Sequence, residues 1–124
     1  MKILIDGMGG DNAPDEIVAG AIAAAKEIKE DIITKSIEKH GYHGSQITVI
    51  AAEEVISNDE APVKAVRTKK ESSIVKGLSM VKKGEADVFL SAGSTGALLA
   101  GGLFILGRIQ GIDRPTLATV YPVI

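Results

Sequence analysis

The sequence predicts an α/β protein with a mainly parallel sheet covered by helices on both faces. Three observations predict it. Short apolar runs alternate with helix-length amphipathic segments along the chain, which is the pattern of a parallel sheet with crossover helices. The composition is 45% hydrophobic but only 3% aromatic, with 14 glycines, and this suits tightly packed helix–sheet layers better than an aromatic sandwich core. Finally, from Ala86 to Ile109 a strand passes through a loop of small residues straight into a helix.

That last stretch organises the rest. Asp87, Val88, Phe89 and Leu90 form a short apolar run, expected to be a strand buried on both faces. The loop Ser91-Ala92-Gly93-Ser94-Thr95-Gly96 follows, and helix signals begin at Ala97 and run through Leu98, Leu99, Leu103, Phe104 and Leu106. A helix N-terminus leaves backbone N–H groups without intrahelical partners at the positive end of its dipole, a setting that suits phosphate. The hydroxyls of Ser91, Ser94 and Thr95 offer further donors. A plain strand–loop–helix corner, with Ser94 or Thr95 as N-cap, fits the same residues. The loop is not a P-loop, because no Lys follows its glycines at the required spacing.

Taken in order, Lys2 to Ile5 reads as a first buried strand ending at Asp6. Gly7, Gly9 and Gly10 then make a turn, and Asn12, Pro14, Asp15 and Glu16 open a helix with Asn12 as N-cap. Ile17, Ala21, Ala25 and Ile28 share one face of it. Gly7-x-Gly9 begins like a dinucleotide fingerprint, but the third glycine is absent and no clear second strand ending in an acid follows. Asp6 and Asp11 sit where open α/β sheets bind ligands, although capping or turn roles fit each of them alone. Between Asp31 and Ser45 only Ile32-Ile33 offers a strand, and Ile37 to Gly41 looks like a helix end. His40 and His43 read as exposed loop residues, since no Cys or clustered acid completes a metal-ligand set.

Ile47 to Ala51 reads as a further strand. Pro62 to Lys70 is expected to be a short helix with Val63 and Val66 inward and Lys64, Arg67, Lys69 and Lys70 on the other face. That basic face is either solvated or a patch for an anionic partner. Ser72-Ser73 opens another helix with Ile74, Leu78 and Val81 inward, closed by Lys82-Lys83-Gly84. Gly101 and Gly102 inside the later helix predict close packing against a neighbour. Thr116 to Tyr121 is the last expected strand. With no helix to cover it, and with a second strand missing near Asp31, these 124 residues are expected to be the amino-terminal part of a single, longer domain.

Net charge is −2, which gives no general reason to expect nucleic acid as a partner. There is no cysteine, so neither a disulfide nor a cysteine nucleophile lies in this segment. The start enters a strand directly, without a signal-peptide core, and the apolar run from Ala97 to Gly107 is too short to span a bilayer.

Three segments in the right order carry a family resemblance: MKILIDGMGGDNAPDEIVAGA, DEAPVKAVRTKKESSIVKGL and GEADVFLSAGSTGALLAGGLFILGRIQGIDRPTLATV. Together they resemble the amino-terminal part of the PlsX family, phosphate acyltransferases of bacterial phospholipid synthesis. The resemblance implies acyl transfer from acyl-acyl-carrier-protein to inorganic phosphate. It also implies a three-layer α/β/α fold similar to isocitrate and isopropylmalate dehydrogenases and phosphotransacetylases. It implies a homodimer in the cytoplasm, with peripheral membrane contact at the inner face, and neither metal nor organic cofactor. Carried over residue by residue, Asp6, Gly9, Gly10, Asp11 and Asn12 match the first motif. Lys69, Lys70, Ser72 and Ser73 match the second, and Ser91, Gly93, Ser94, Thr95 and Gly96 the third. Asp6, Asp11, Ser94 and Thr95 are the catalytic candidates and the others bind substrate. The sequence departs from the family pattern in placing Gly7 where Ala is common, Thr68 where Arg is common and Ser94 where Asn is common.

Two rival readings differ in class. One is an enzyme of the same fold with another anionic substrate, such as a phosphotransacetylase acting on acyl-CoA or a hydroxyacid dehydrogenase. The other is a non-catalytic scaffold that binds carrier protein or membrane.

Overall fold

The computed structural model describes residues 1–27, 31–33, 46–118 and 120, with backbone alone for 31–33. Its strands β1 (Lys2–Ile5), β2 (Asp31–Ile33), β3 (Ile47–Thr48) and β4 (Val88–Leu90) form one parallel sheet in the order β3-β2-β1-β4. The helices are α1 (Asp15–Glu27), α2 (Pro62–Thr68), α3 (Ser73–Lys82) and α4 (Thr95–Gly101), the last running into a π-helical turn at Gly102–Leu106.

Strand alternation decides which helix covers which face. Leu4 pairs with Phe89 and Ile5 with Leu90, so Leu4 and Phe89 share one face and Ile5 and Leu90 the other. Leu4 packs with Phe89 and with Met80 and Val81 of α3. Ile5 packs instead with Ala21 and Ala25 of α1. Helices therefore lie on both faces. The larger apolar cluster sits beside the sheet, where Ala65 and Val66 of α2, Ile74, Val75 and Leu78 of α3, and Ala97 and Ala100 of α4 are all buried with Ile56. Gly101 belongs to this packing, since a Cβ there would stand 2.5 Å from Leu78 Cδ1, whereas Gly102 faces open space.

Several expectations need correction. A second strand is present, and it is the Ile32-Ile33 doublet with Asp31. β4 is not buried on both faces, because Val88 and Leu90 are 36% and 51% exposed. The reason is its edge position: α1 packs against β2, too far along the sheet to shelter the β4 side chains that share its face. β3 is shorter than expected, and Val49 is exposed beyond its end. Residues 116–118 and 120 form no strand, and Leu117 and Val120 are exposed; the remainder of Thr116 to Tyr121 lies outside the described residues. On α1 the fully buried face is Val18, Ala21 and Ala25 rather than one led by Ile17, and Ile28 lies outside the described residues. On α2, Ala65 and Val66 point inward while Val63 is 45% exposed. His40, His43 and the expected helix end at Ile37 to Gly41 also lie outside the described residues.

Helix ends follow the capping chemistry read from the sequence. Ser72 is the N-cap of α3: its Oγ accepts from Val75 N at 3.4 Å and donates to the Lys69 carbonyl at 2.7 Å. Ser94 caps α4 in the same way, accepting from Ala97 N at 3.3 Å. At α1 the cap moves from Asn12 to Pro14, the residue directly before Asp15, whose carbonyl accepts from Val18 N at 3.0 Å.

Candidate functional site

From β1 the chain moves outward through β2 to β3, then returns to place β4 on the other side of β1. The helix after β1, α1, packs on the Ile5 face, whereas α4, after β4, belongs to the cluster that Phe89 adjoins, so the segments leaving these adjacent strands go to opposite faces of the sheet. This is a topological switch point, where open parallel sheets form a crevice beyond the strands' carboxyl ends. Asp6 and Ser91 are the first residues past β1 and β4.

These two residues bind each other. The Asp6 carboxylate is buried, with the residue only 3% exposed. Its Oδ2 accepts from Ser91 Oγ at 2.7 Å and its Oδ1 from Met8 N at 3.1 Å. Ser91 Oγ in turn accepts from Gly93 N at 3.1 Å. The main chains are also tied, Asp6 N donating to Leu90 O at 2.8 Å. There is no room for a side chain where the loops touch. A Cβ on Gly9 would lie 2.5 Å from Asp6 Oδ2 and 2.9 Å from Gly93 N, and one on Gly93 would lie 3.0 Å from Gly9 Cα. Gly10, with φ +116°, lies against Ala92.

The helix side of the third motif stays open. Thr95 and Gly96 are exposed and Ser94 is buried. Their three N–H groups donate to no protein acceptor among the described residues, whereas the next, Ala97 N, is satisfied by Ser94 Oγ. The N-terminus of α2 closes in from one side, since a Cβ on Gly96 would stand 2.7 Å from Pro62 Cγ.

The second motif joins this centre through one residue. Ser73 lines a pocket of about 30 Å³ with Asp6, Gly7, Met8 and Lys76, room for about one water molecule. Lys76 was not singled out from the sequence; its position three residues after Ser73, on the same side of α3, was the available signal. Its Nζ donates to the Ala51 carbonyl at 3.3 Å and pairs with Glu71. Lys69 is held within its own segment, Nζ lying 2.7 Å from Glu60 Oε1 and 2.8 Å from Val55 O. The Lys69 ammonium, then the Ser57 N–H, hold the Glu60 carboxyl below the usual carboxylate range. Lys70 Nζ donates to Val66 O at 3.3 Å, and Arg67 lies over the Phe104 ring at 5.0 Å. Asp11 and Asn12 are exposed, and the Asn12 carbonyl accepts from Glu16 N at 3.3 Å. The structure thus joins Asp6, Gly9 and Gly10 to Ser91 and Gly93, with Ser94 to Gly96 adjoining. It leaves Lys69, Lys70, Ser72, Asp11 and Asn12 engaged elsewhere or facing solvent.

Known proteins are similar to this chain in sequence. A family model described as "Fatty acid synthesis protein" matches residues 1–124. A phosphate acyltransferase of Clostridium tetani is 51% identical over 131 residues, covering 98% of this chain and 39% of that protein. Those of Clostridioides difficile and Halothermothrix orenii are 48% and 49% identical, with 98% of this chain covered in each case. The chain spans about 39% of the length of the curated relatives it matches. With its whole length matched by the family model, the chain belongs to the fatty acid synthesis protein family, that of the PlsX phosphate acyltransferases whose three motifs it carries.

Proposed function

We propose that the chain is the amino-terminal part of a phosphate acyltransferase. The enzyme moves a fatty acyl group from acyl-acyl-carrier-protein to inorganic phosphate, giving an acyl phosphate for phospholipid synthesis and the free carrier. The observation that carries this reading is the meeting of two glycine loops at the switch point, with open N–H groups at Ser94, Thr95 and Gly96, in a chain of this family. Phosphate accepts from those N–H groups at the positive end of the α4 dipole. Lys70 adds charge from the basic segment. Lys69, paired with Glu60, holds that segment in place.

In this mechanism a phosphate oxygen attacks the thioester carbonyl carbon directly. A carbon–oxygen bond forms, the carbon–sulfur bond breaks, and the carrier's thiolate leaves and takes up a proton. A serine or threonine without a base partner is a weak nucleophile, and Ser94 and Thr95 have none among the described residues; Ser91 does donate to the Asp6 carboxylate, but its oxygen is engaged by the Gly93 N–H. Phosphate needs no such activation. The protein holds the two reactants together, an effect worth several kcal/mol. It also stabilises the oxyanion with loop N–H groups and the Ser94 or Thr95 hydroxyl, at about 2.7–4 kcal/mol per donor. Of the two acids, Asp6 orients donors, through its bonds from Ser91 Oγ and Met8 N, rather than facing the phosphate, which a carboxylate would repel; Asp11 is exposed.

The same reading makes the enzyme a cytoplasmic homodimer of α/β/α layers like those of isocitrate and isopropylmalate dehydrogenases and phosphotransacetylases. It touches the membrane peripherally; among the described residues no helix is long and apolar enough to cross one. Incubating the full-length protein with labelled acyl-acyl-carrier-protein in the absence of phosphate tests the mechanism. Direct attack predicts no covalent label on the protein. Stoichiometric label on Ser91, Ser94 or Thr95, discharged by phosphate at the turnover rate, contradicts it.

A further inference from the structure

We propose that Asp6 is a positioning residue that acts through Ser91, fixing which donors of the third motif face the substrate. The inference rests on the reading of this loop as the phosphate site. Gly93 N can only donate, so the Ser91 oxygen, 3.1 Å away, is its acceptor. A serine hydroxyl has one proton, and that proton points to Asp6 Oδ2 at 2.7 Å. Asp6 therefore sets the rotation of the Ser91 hydroxyl. Through it, Asp6 withdraws the Gly93 N–H and the Ser91 O–H from the anion. The Ser94, Thr95 and Gly96 N–H groups remain open, with no acceptor among the described residues. Burial of the Asp6 carboxylate, and the absence of a side chain at Gly9 against it, hold this chain of bonds in register. Ser91, a match to the family's third motif, is thus a strut of the site and not a ligand.

Asp6→Asn discriminates, because the amide has a single oxygen where the carboxylate uses two, one for Met8 N and one for Ser91 Oγ. Whichever way the amide turns, one of those bonds is lost. Calorimetric titration of the full-length protein with inorganic phosphate is expected to show about tenfold weaker binding for Asp6→Asn and for Ser91→Ala. The double variant is expected to be little weaker than either alone, and the KM for the acyl donor to stay within about twofold of the parent's. If Ser91 were a direct ligand, Ser91→Ala would weaken phosphate while Asp6→Asn, by freeing the hydroxyl, would leave it unchanged or tighten it. That result overturns the proposal. Thr95→Pro separates failure of the proposal from failure of the underlying reading. Pro is tolerated at the first helical position, so this change removes donors without disturbing the helix. Weakening by Thr95→Pro without weakening by Asp6→Asn rejects the positioning role alone, and no effect from Thr95→Pro rejects both. A backbone amide titration of the unmodified protein decides the matter even if Asp6→Asn does not fold. Phosphate is expected to shift the Ser94, Thr95 and Gly96 amides and to leave Gly93 in place; the largest shift at Gly93 overturns the proposal.

Discussion

The Ser91 hydroxyl donates to the buried Asp6 carboxylate at 2.7 Å across 85 positions of sequence. This bond closes the junction between β1 and β4 at the point where the sheet changes direction. Asp6→Ala is expected to leave the Ser91 hydroxyl and the Met8 N–H without their acceptor, destabilising the protein by about 1–3 kcal/mol. Urea denaturation of the full-length protein checks this, and an unchanged midpoint contradicts it.

Gly9 and Gly20 make a matched pair. A Cβ on Gly9 would stand 2.5 Å from Asp6 Oδ2, whereas one on Gly20 in α1 meets nothing within 4 Å. Gly9→Ala is therefore expected to destabilise by about 1–3 kcal/mol through overpacking. Gly20→Ala is expected to stabilise by up to about 1 kcal/mol by restricting the unfolded chain and favouring helix. The opposite signs are read from the same denaturation series.

Capping predicts how Ser94 tolerates change. Its Oγ accepts from Ala97 N, so Ser94→Ala is expected to lose about 1 kcal/mol. Ser94→Asn, the residue common in the family at this position, caps equally well and is expected to stay within about 0.5 kcal/mol of the parent. A loss for Asn as large as for Ala would show that the hydroxyl does more than cap.

The Glu60–Lys69 pair gives a pH dependence. The Lys69 ammonium, then the Ser57 N–H, lower the folded-state pKa of Glu60. A carboxylate with a depressed folded pKa contributes stability that is fully present above its unfolded pKa and is lost as pH falls through the folded value. The contribution is small, because both side chains are about 30% exposed, at 30% and 31%. Glu60→Gln is thus expected to unfold more readily than the parent at neutral pH, with the gap closing in acid. An NMR titration of the Glu60 side chain is expected to place its midpoint below that of a free glutamate; a midpoint at or above that value contradicts the assignment.

The parallel α/β class was legible because β1 and β4 are short apolar runs and α3 and α4 open on serine caps that the sequence shows. The junction that makes the site was legible only as two separate glycine loops. Asp6 and Ser91 lie too far apart in sequence for any local pattern to pair them, and the resemblance linked their motifs without giving their contact. β2 was nearly missed because a three-residue strand offers a single apolar doublet. Val63 was misplaced because a helix as short as α2 has too few turns to define its inner face. The exposure of β4 could not be foreseen, since an apolar run says nothing about whether its strand lies at the centre or the edge of a sheet.

Acyl transfer to phosphate is tested most directly by following both products at once in the full-length protein. Labelled inorganic phosphate and acyl-acyl-carrier-protein are supplied together, and acyl phosphate and free carrier thiol are measured over time. The account predicts that the two products appear in equal amounts, only when phosphate is present, and that acyl-CoA or a nicotinamide cofactor does not replace the acyl carrier. Thiol release without acyl phosphate, or equal turnover with acyl-CoA, would contradict it.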